Sequence, residues 1–156
     1  MYRSALDSGF AIRTALKKRG ADDRSIELLG DSIDLAAKLV EESDRISEFL
    51  GGIDLTRLYA EICSEDRRIS DSESASEVDR LIASKTDLLG VYDEYREKER
   101  RLAAILASLG RMRGIFIDTE TRFREETVHE RSDTIGVSQI EDVLTTLGDE
   151  VRRLLE

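Results

Sequence analysis

Between Val78 and Leu109 the apolar residues recur in alternating steps of three and four. Val78, Leu81, Lys85, Leu88, Tyr92, Tyr95, Glu99, Leu102, Leu106 and Leu109 occupy one stripe. A repeat of about 3.5 residues kept over roughly four heptads is the pattern of a helix that packs along a seam. It predicts a straight helix over 77–109, roughly 50 Å long at about 1.5 Å per residue. Two seam positions, Lys85 and Glu99, are charged. A charge there pairs with a neighbouring helix and sets its register, or its tip reaches solvent past an apolar stem.

The rest of the chain is compatible with such a helix. It contains no proline, the residue that removes a backbone donor and clashes inside helices. The 156 residues suit one domain, and a 40% hydrophobic share is enough for one core. Charged residues make up 37% and aromatics 5%, a mixture that in an aperiodic chain would mean disorder. Here the apolar residues are periodic, so helices are expected instead.

Residues 3–19 read as a first helix with Ala5, Phe10, Ala11, Ile12 and Leu16 on its apolar side, ended by Gly20. Residues 23–50 read as a second, closed by Gly51 and Gly52. Its stripes Ile26–Leu29–Ile33–Ala36–Val40 and Leu28–Leu35–Leu39–Ile46–Leu50 make a wide face, suited to two neighbours. Asp54 can cap a third helix over 55–70, with Leu55, Leu58, Tyr59, Ile62 and Ile69 inward. The polar run 70–74 is turn-prone and is the candidate internal boundary. Ser74 and Glu77 have the spacing of a capping box for the long helix. Gly110 and Gly114 are read as a turn or kink, after which Ile115, Phe116, Ile117 and Phe123 open another helix. Gly136, Ser138 and Glu141 precede a last amphipathic helix through Ile140, Leu144, Leu147, Val151 and Leu154. No segment alternates for long enough to be a strand. The expectation is a single all-α domain over 1–156, an antiparallel bundle of five to six helices.

Charge and composition restrict function. A net charge of −10 argues against general affinity for phosphate backbones or anionic membranes. The cluster Lys17–Lys18–Arg19 fits the last turn of a helix, where cations complement the dipole. Cys63 is the only cysteine, so no intrachain disulfide or thiolate cluster is available; its helical context suggests a buried thiol. No apolar run is long enough to cross a membrane and no signal peptide is evident, so a soluble cytoplasmic protein is expected.

Catalytic templates are scarce. There is no glycine-rich phosphate loop, no His-Glu-x-x-His and no Cys-x-x-Cys. Glu41–Glu42 and Glu125–Glu126 are adjacent pairs that point about 100° apart on a helix. Glu126 and His129 make one Glu-x-x-His, whereas carboxylate-bridged metal bundles use two. No metal or cofactor is expected. His129, the sole histidine, reads first as a structural or surface side chain, and Val128-His129-Glu130-Arg131 faintly resembles the phosphorylated box of histidine kinases.

Phe123-Arg124-Glu125-Glu126-Thr127-Val128-His129-Glu130 is similar to the motif of HEPN-family ribonucleases, over about residues 111–155. The resemblance implies a dimer that cleaves RNA, with Arg124 stabilising phosphate charge and His129 handling the proton. Glu125 stands where that family favours Asn, Asp or His. On an unbroken helix, residues five apart lie about 140° apart, so the pair would meet at a helix end or across a dimer. A second segment, about 61–110, with Lys85, Leu88–Leu89, Arg100–Arg101 and Gly110, resembles the long helix of FlgN-type flagellar export chaperones, which hold a partner's amphipathic helix.

The residues therefore favour a non-enzymatic interaction module that binds a partner helix, an adaptor or chaperone-like bundle. Tyr92 and Tyr95 are its candidate anchors, since aromatics are enriched at binding hot spots, with Lys85 and Glu99 beside them. The same tyrosines would serve as ordinary core, and the seam serves a homodimer equally well. The alternative is the HEPN-like ribonuclease acting through Arg124 and His129, the one reading in which nucleic acid is a partner.

Overall fold

The computed structural model describes the backbone of residues 3–19 and 23–129, and of 142, 145–146, 148–149 and 151–155; side chains are described over 6–18, at 24, over 26–121 and at those last positions. Among the described residues there are helices and no strand. The order is α1 (Arg3–Arg19), α2 (Asp23–Gly51), α3 (Leu55–Asp71) and α4 (Ala75–His129). The described residues within 142–155 form a fifth helix, α5. The chain is an all-α bundle built round one long helix, as the seam predicts.

Two compact units are present, Arg45–Leu102 and Met1–Asp44 with Ala103–Glu156. In the second of these, Ile12 and Leu16 of α1, Leu29, Ile33, Ala36 and Leu39 of α2, Ile105, Leu109, Met112 and Phe116 of α4, and Val151 of α5 are buried. The wide apolar face of α2 is used as expected. Gly9 faces Ile33, and Arg13 lies beside Gly30. Position rises along α1 as it falls along α2, so the two are antiparallel. A Cβ on Gly9 would stand 2.8 Å from Ile33 Cγ1 and 3.5 Å from Phe116 Cε2. This close approach orients α1: Gly9, Ile12 and Leu16 face inward, while Phe10, expected inside, is 52% exposed. Buried Ser32 and Ser43 donate their hydroxyls to Leu28 O (2.9 Å) and Val40 O (2.8 Å), which satisfies them within their own helix.

The turn or kink expected at Gly110 and Gly114 does not occur. α4 is one helix of 55 residues that runs through both glycines. Its buried stripe continues across them as Ile105, Leu109, Met112, Phe116 and Thr119, in steps of four and three. Both glycines lie off that stripe, exposed, and a Cβ at either position would meet nothing within 4 Å. A helical glycine costs about 1 kcal/mol, whereas burying a side chain such as Met112 or Phe116 is worth about 1.5–3 kcal/mol. Packing therefore carries the helix across.

In the unit Arg45–Leu102, the α2 end, α3 and the first part of α4 bury Ile46, Leu58, Ile62 and Leu81. The end of α2 is closed by Gly52 N donating to Glu48 O (3.1 Å) and Ile53 N donating to Leu50 O (3.3 Å). Asp54 caps α3 as expected, its carboxylate accepting from Arg57 N at 3.0 Å. Helix α4 starts after Ser74, but Glu77 does not close a box with it. Instead Ser72 Oγ donates to Glu77 Oε2 (3.2 Å) and accepts from Ser74 N (3.4 Å). The run 70–74 is thus the end of α3 and the turn inside this unit. Tyr59, expected inward, is exposed, and Cys63 is half-buried rather than buried. The packed face of α3 is Leu58, Ile62, Glu65 and Ile69, which turns Tyr59 out. Gly20, Gly136, Ser138 and Glu141 lie outside the described residues.

Two variants test this packing in chemical denaturation. Replacing both Gly110 and Gly114 by Ala is expected to stabilise the protein by about 0.5–1 kcal/mol per site; a loss would mean the chain breaks there. Gly9→Val is expected to destabilise by about 1–3 kcal/mol through overpacking against Ile33.

Candidate partner-binding surface

Helices α3 and α4 form a hairpin whose register is fixed by two cross-helix contacts. Ser84 Oγ donates to Glu65 Oε1 at 3.3 Å, and Lys85 Nζ is paired with Asp66. The chain reverses in the short turn at 72–74 between these paired stretches, so the helices run antiparallel. Adjacent residues on one helix point about 100° apart. The two contacts therefore mark the two opposite sides of the hairpin.

On the side of Glu65 and Ser84, helical spacing places Glu61 and Arg68 of α3 and Arg80, Asp87 and Val91 of α4. This side is charged apart from Val91. On the side of Asp66 and Lys85, the spacing places Tyr59 and Cys63 of α3 and the stripe Val78, Ile82, Lys85 and Leu89 of α4. Val78 and Cys63 are half-buried there. Tyr59 is 63% exposed, Ile82 48% and Leu89 39%. One side of the hairpin is thus polar and the other leaves large apolar groups in water. Scattered single apolar residues on a surface need no explanation, but a contiguous group does.

The residues singled out from the sequence divide between inside and outside. Tyr92 and Tyr95 are half-buried, on the inner seam with Leu81 and Leu88. Lys85 pairs with α3 and so acts as the seam charge that links two helices. Glu99 does not. It is exposed and bonds along its own helix, Arg96 donating to it at 2.6 Å. From Tyr95 the next covered position is Lys98, one residue before the strict repeat, with Nζ 5.9 Å from the Phe49 ring centroid. Ile105 rather than Leu106 is then the fully buried position. Leu102 to Leu106 is an uninterrupted apolar run, so spacing alone could not show where the phase slips.

Arg124 and His129 lie on the last turns of α4, and their side chains are outside the described residues. The helix is continuous between them, so their backbone positions are about 140° apart round the axis. Among the described residues no group of His, Cys, Asp and Glu is gathered as for a metal ion. Lys17 and Lys18 are exposed at the end of α1, where cations suit the helix dipole.

Sequence reasoning missed Tyr59, Ile82 and Leu89 as surface groups. The signal was present in the second stripe, Val78–Ile82–Lys85–Leu89, which widens the apolar arc of α4 beyond what one neighbour covers.

Side chains of Lys85 and Asp66 are 29% and 54% exposed, so solvent weakens their attraction. A double-mutant cycle with Lys85→Ala and Asp66→Ala is expected to give a coupling of about 0.2–1 kcal/mol. A coupling of zero would mean that the pair does not hold the register of the hairpin.

No helix among the described residues is long and apolar enough to cross a membrane. No protein-family profile matches this chain, and neither a curated protein nor a solved structure matches it.

Proposed function

We propose that the chain is a non-enzymatic interaction module of the cytoplasm whose α3–α4 hairpin takes up a helix of a partner protein, in the manner of an adaptor or export chaperone. The observation that carries this reading is the two-sided hairpin. One side is charged, and the other exposes Tyr59, Ile82 and Leu89. An amphipathic helix laid along such a face buries its apolar side against anchors spaced a helical turn apart. Tyr59 is the foremost anchor, because a tyrosine offers a large apolar ring with a polar tip. Tyr92 and Tyr95 lie beneath as support, and Lys85 with Asp66 keeps the two helices in step.

The test compares the wild type with a Tyr59→Ser, Ile82→Ser, Leu89→Ser variant as bait in lysate of the source cells. Helix content and melting are checked first by circular dichroism, since half-exposed positions tolerate polar groups. A captured partner is then bound to purified protein, and amide exchange locates the contact. Protection over 55–71 and 75–95, with affinity reduced about tenfold or more in the variant, is the expected outcome. Protection elsewhere, or undiminished binding by the variant, would overturn the reading. Tyr92→Ala with Tyr95→Ala is less decisive, because both residues also pack within the hairpin.

A further inference from the structure

We infer that the occupant of the Tyr59–Ile82–Leu89 face is a helix with lysine or arginine along one edge, and not a second copy of this chain. The inference rests on the interaction-module reading and adds the chemistry of the partner. The apolar stripe on α4 has an outer border formed by Asp79, Thr86 and Asp93, one heptad apart and all exposed. Positions that border an apolar seam in this way meet the bordering residues of the facing helix, where opposite charges attract and like charges repel. The turn end of the hairpin adds exposed Asp71 and Glu73. A docked helix therefore meets negative charge along its α4 edge and at one end. Toward α3 the edge carries Arg67, exposed, so the basic residues belong on the α4 side.

The same border disfavours self-association. Two copies of α4 packed antiparallel through this stripe would set Asp79 against Asp93 of the other copy. That arrangement opposes like charges, in a chain that already carries −10. Lys85 is already paired with Asp66, and Arg96, one heptad beyond Leu89, is already paired with Glu99, so neither offers much relief.

Two synthetic amphipathic peptides of roughly three heptads, leucine at the seam positions and either lysine or glutamate at the bordering ones, test this by fluorescence anisotropy. The lysine peptide is expected to bind about tenfold or more tightly than the glutamate peptide, and to weaken as salt rises from about 50 to 500 mM. Asp79→Lys with Asp93→Lys should reverse the preference. Tyr59→Ser, Ile82→Ser, Leu89→Ser should abolish binding of both while leaving every charge in place. Equal affinity for the two peptides, lost in the serine variant, would overturn the charge inference and leave the docking face standing. Binding that survives the serine variant would overturn the face itself. No binding of either peptide would overturn the inference, as would a wild-type dimer in light scattering that the serine variant dissociates.

Discussion

Packing along one side of α4 is the interaction on which the rest depends. A helix of 55 residues is held less by propensity than by what its apolar side is buried against. From Ile105 to Thr119 that side is continuous. Four of its members, Ile105, Leu109, Met112 and Phe116, contribute together several times the cost of two helical glycines. The close approach at Gly9, the wide face of α2 and the burial of Val151 all serve the unit in which this stripe is covered. The continuous backbone has a chemical consequence too. It places Arg124 and His129 at different angles round one helix axis, so a shared site would require the second residue from another chain.

The parts of the fold legible in the sequence are those where a local rule and the packing agree. Asp54 announces α3 because its carboxylate accepts the orphan Arg57 N–H. The polar run before Ala75 announces α4, although the hydrogen bonds go through Ser72 and not through the spacing that suggested a capping box. The two stripes of α2 are visible because apolar and polar residues alternate cleanly around it. Gly110 and Gly114 misled because a glycine is a weak breaker whose effect depends on what its neighbours bury. Met112 and Phe116 decide the matter, and their burial is a tertiary fact. Phe10 misled for a related reason. A large apolar residue beside a small one looks like the packed position, yet at Gly9 the absent side chain is what permits contact with Ile33.

The candidate surface was half legible. The seam singled out α4, and it marked Lys85 and Glu99 as charges that either pair with a neighbour or reach solvent. It could not separate Lys85 from Glu99, because the difference lies in what faces each: Asp66 stands opposite Lys85, whereas Glu99 bonds to Arg96 on its own helix. Tyr92 and Tyr95 occupy the seam and are half-buried, while the more exposed tyrosine, Tyr59, belongs to α3. Pattern along one helix says which residues share a side. It does not say which side the neighbouring helix leaves uncovered.

The thin core of the hairpin links its stability to its occupancy. Across Arg45–Leu102 the buried apolar side chains are Ile46, Leu58, Ile62 and Leu81. Ordering each residue costs about 1–2 kcal/mol of backbone entropy, so a segment with so few buried groups belongs to the less stable part of a structure. A helix docked on Tyr59, Ile82 and Leu89 would add apolar burial worth about 1.5–3 kcal/mol for each side chain fully covered. Because such a ligand binds the ordered hairpin and not the unfolded one, it stabilises that order in proportion to its own affinity. The groups that the free hairpin leaves in water would thus be the ones that supply the binding energy of a docked helix.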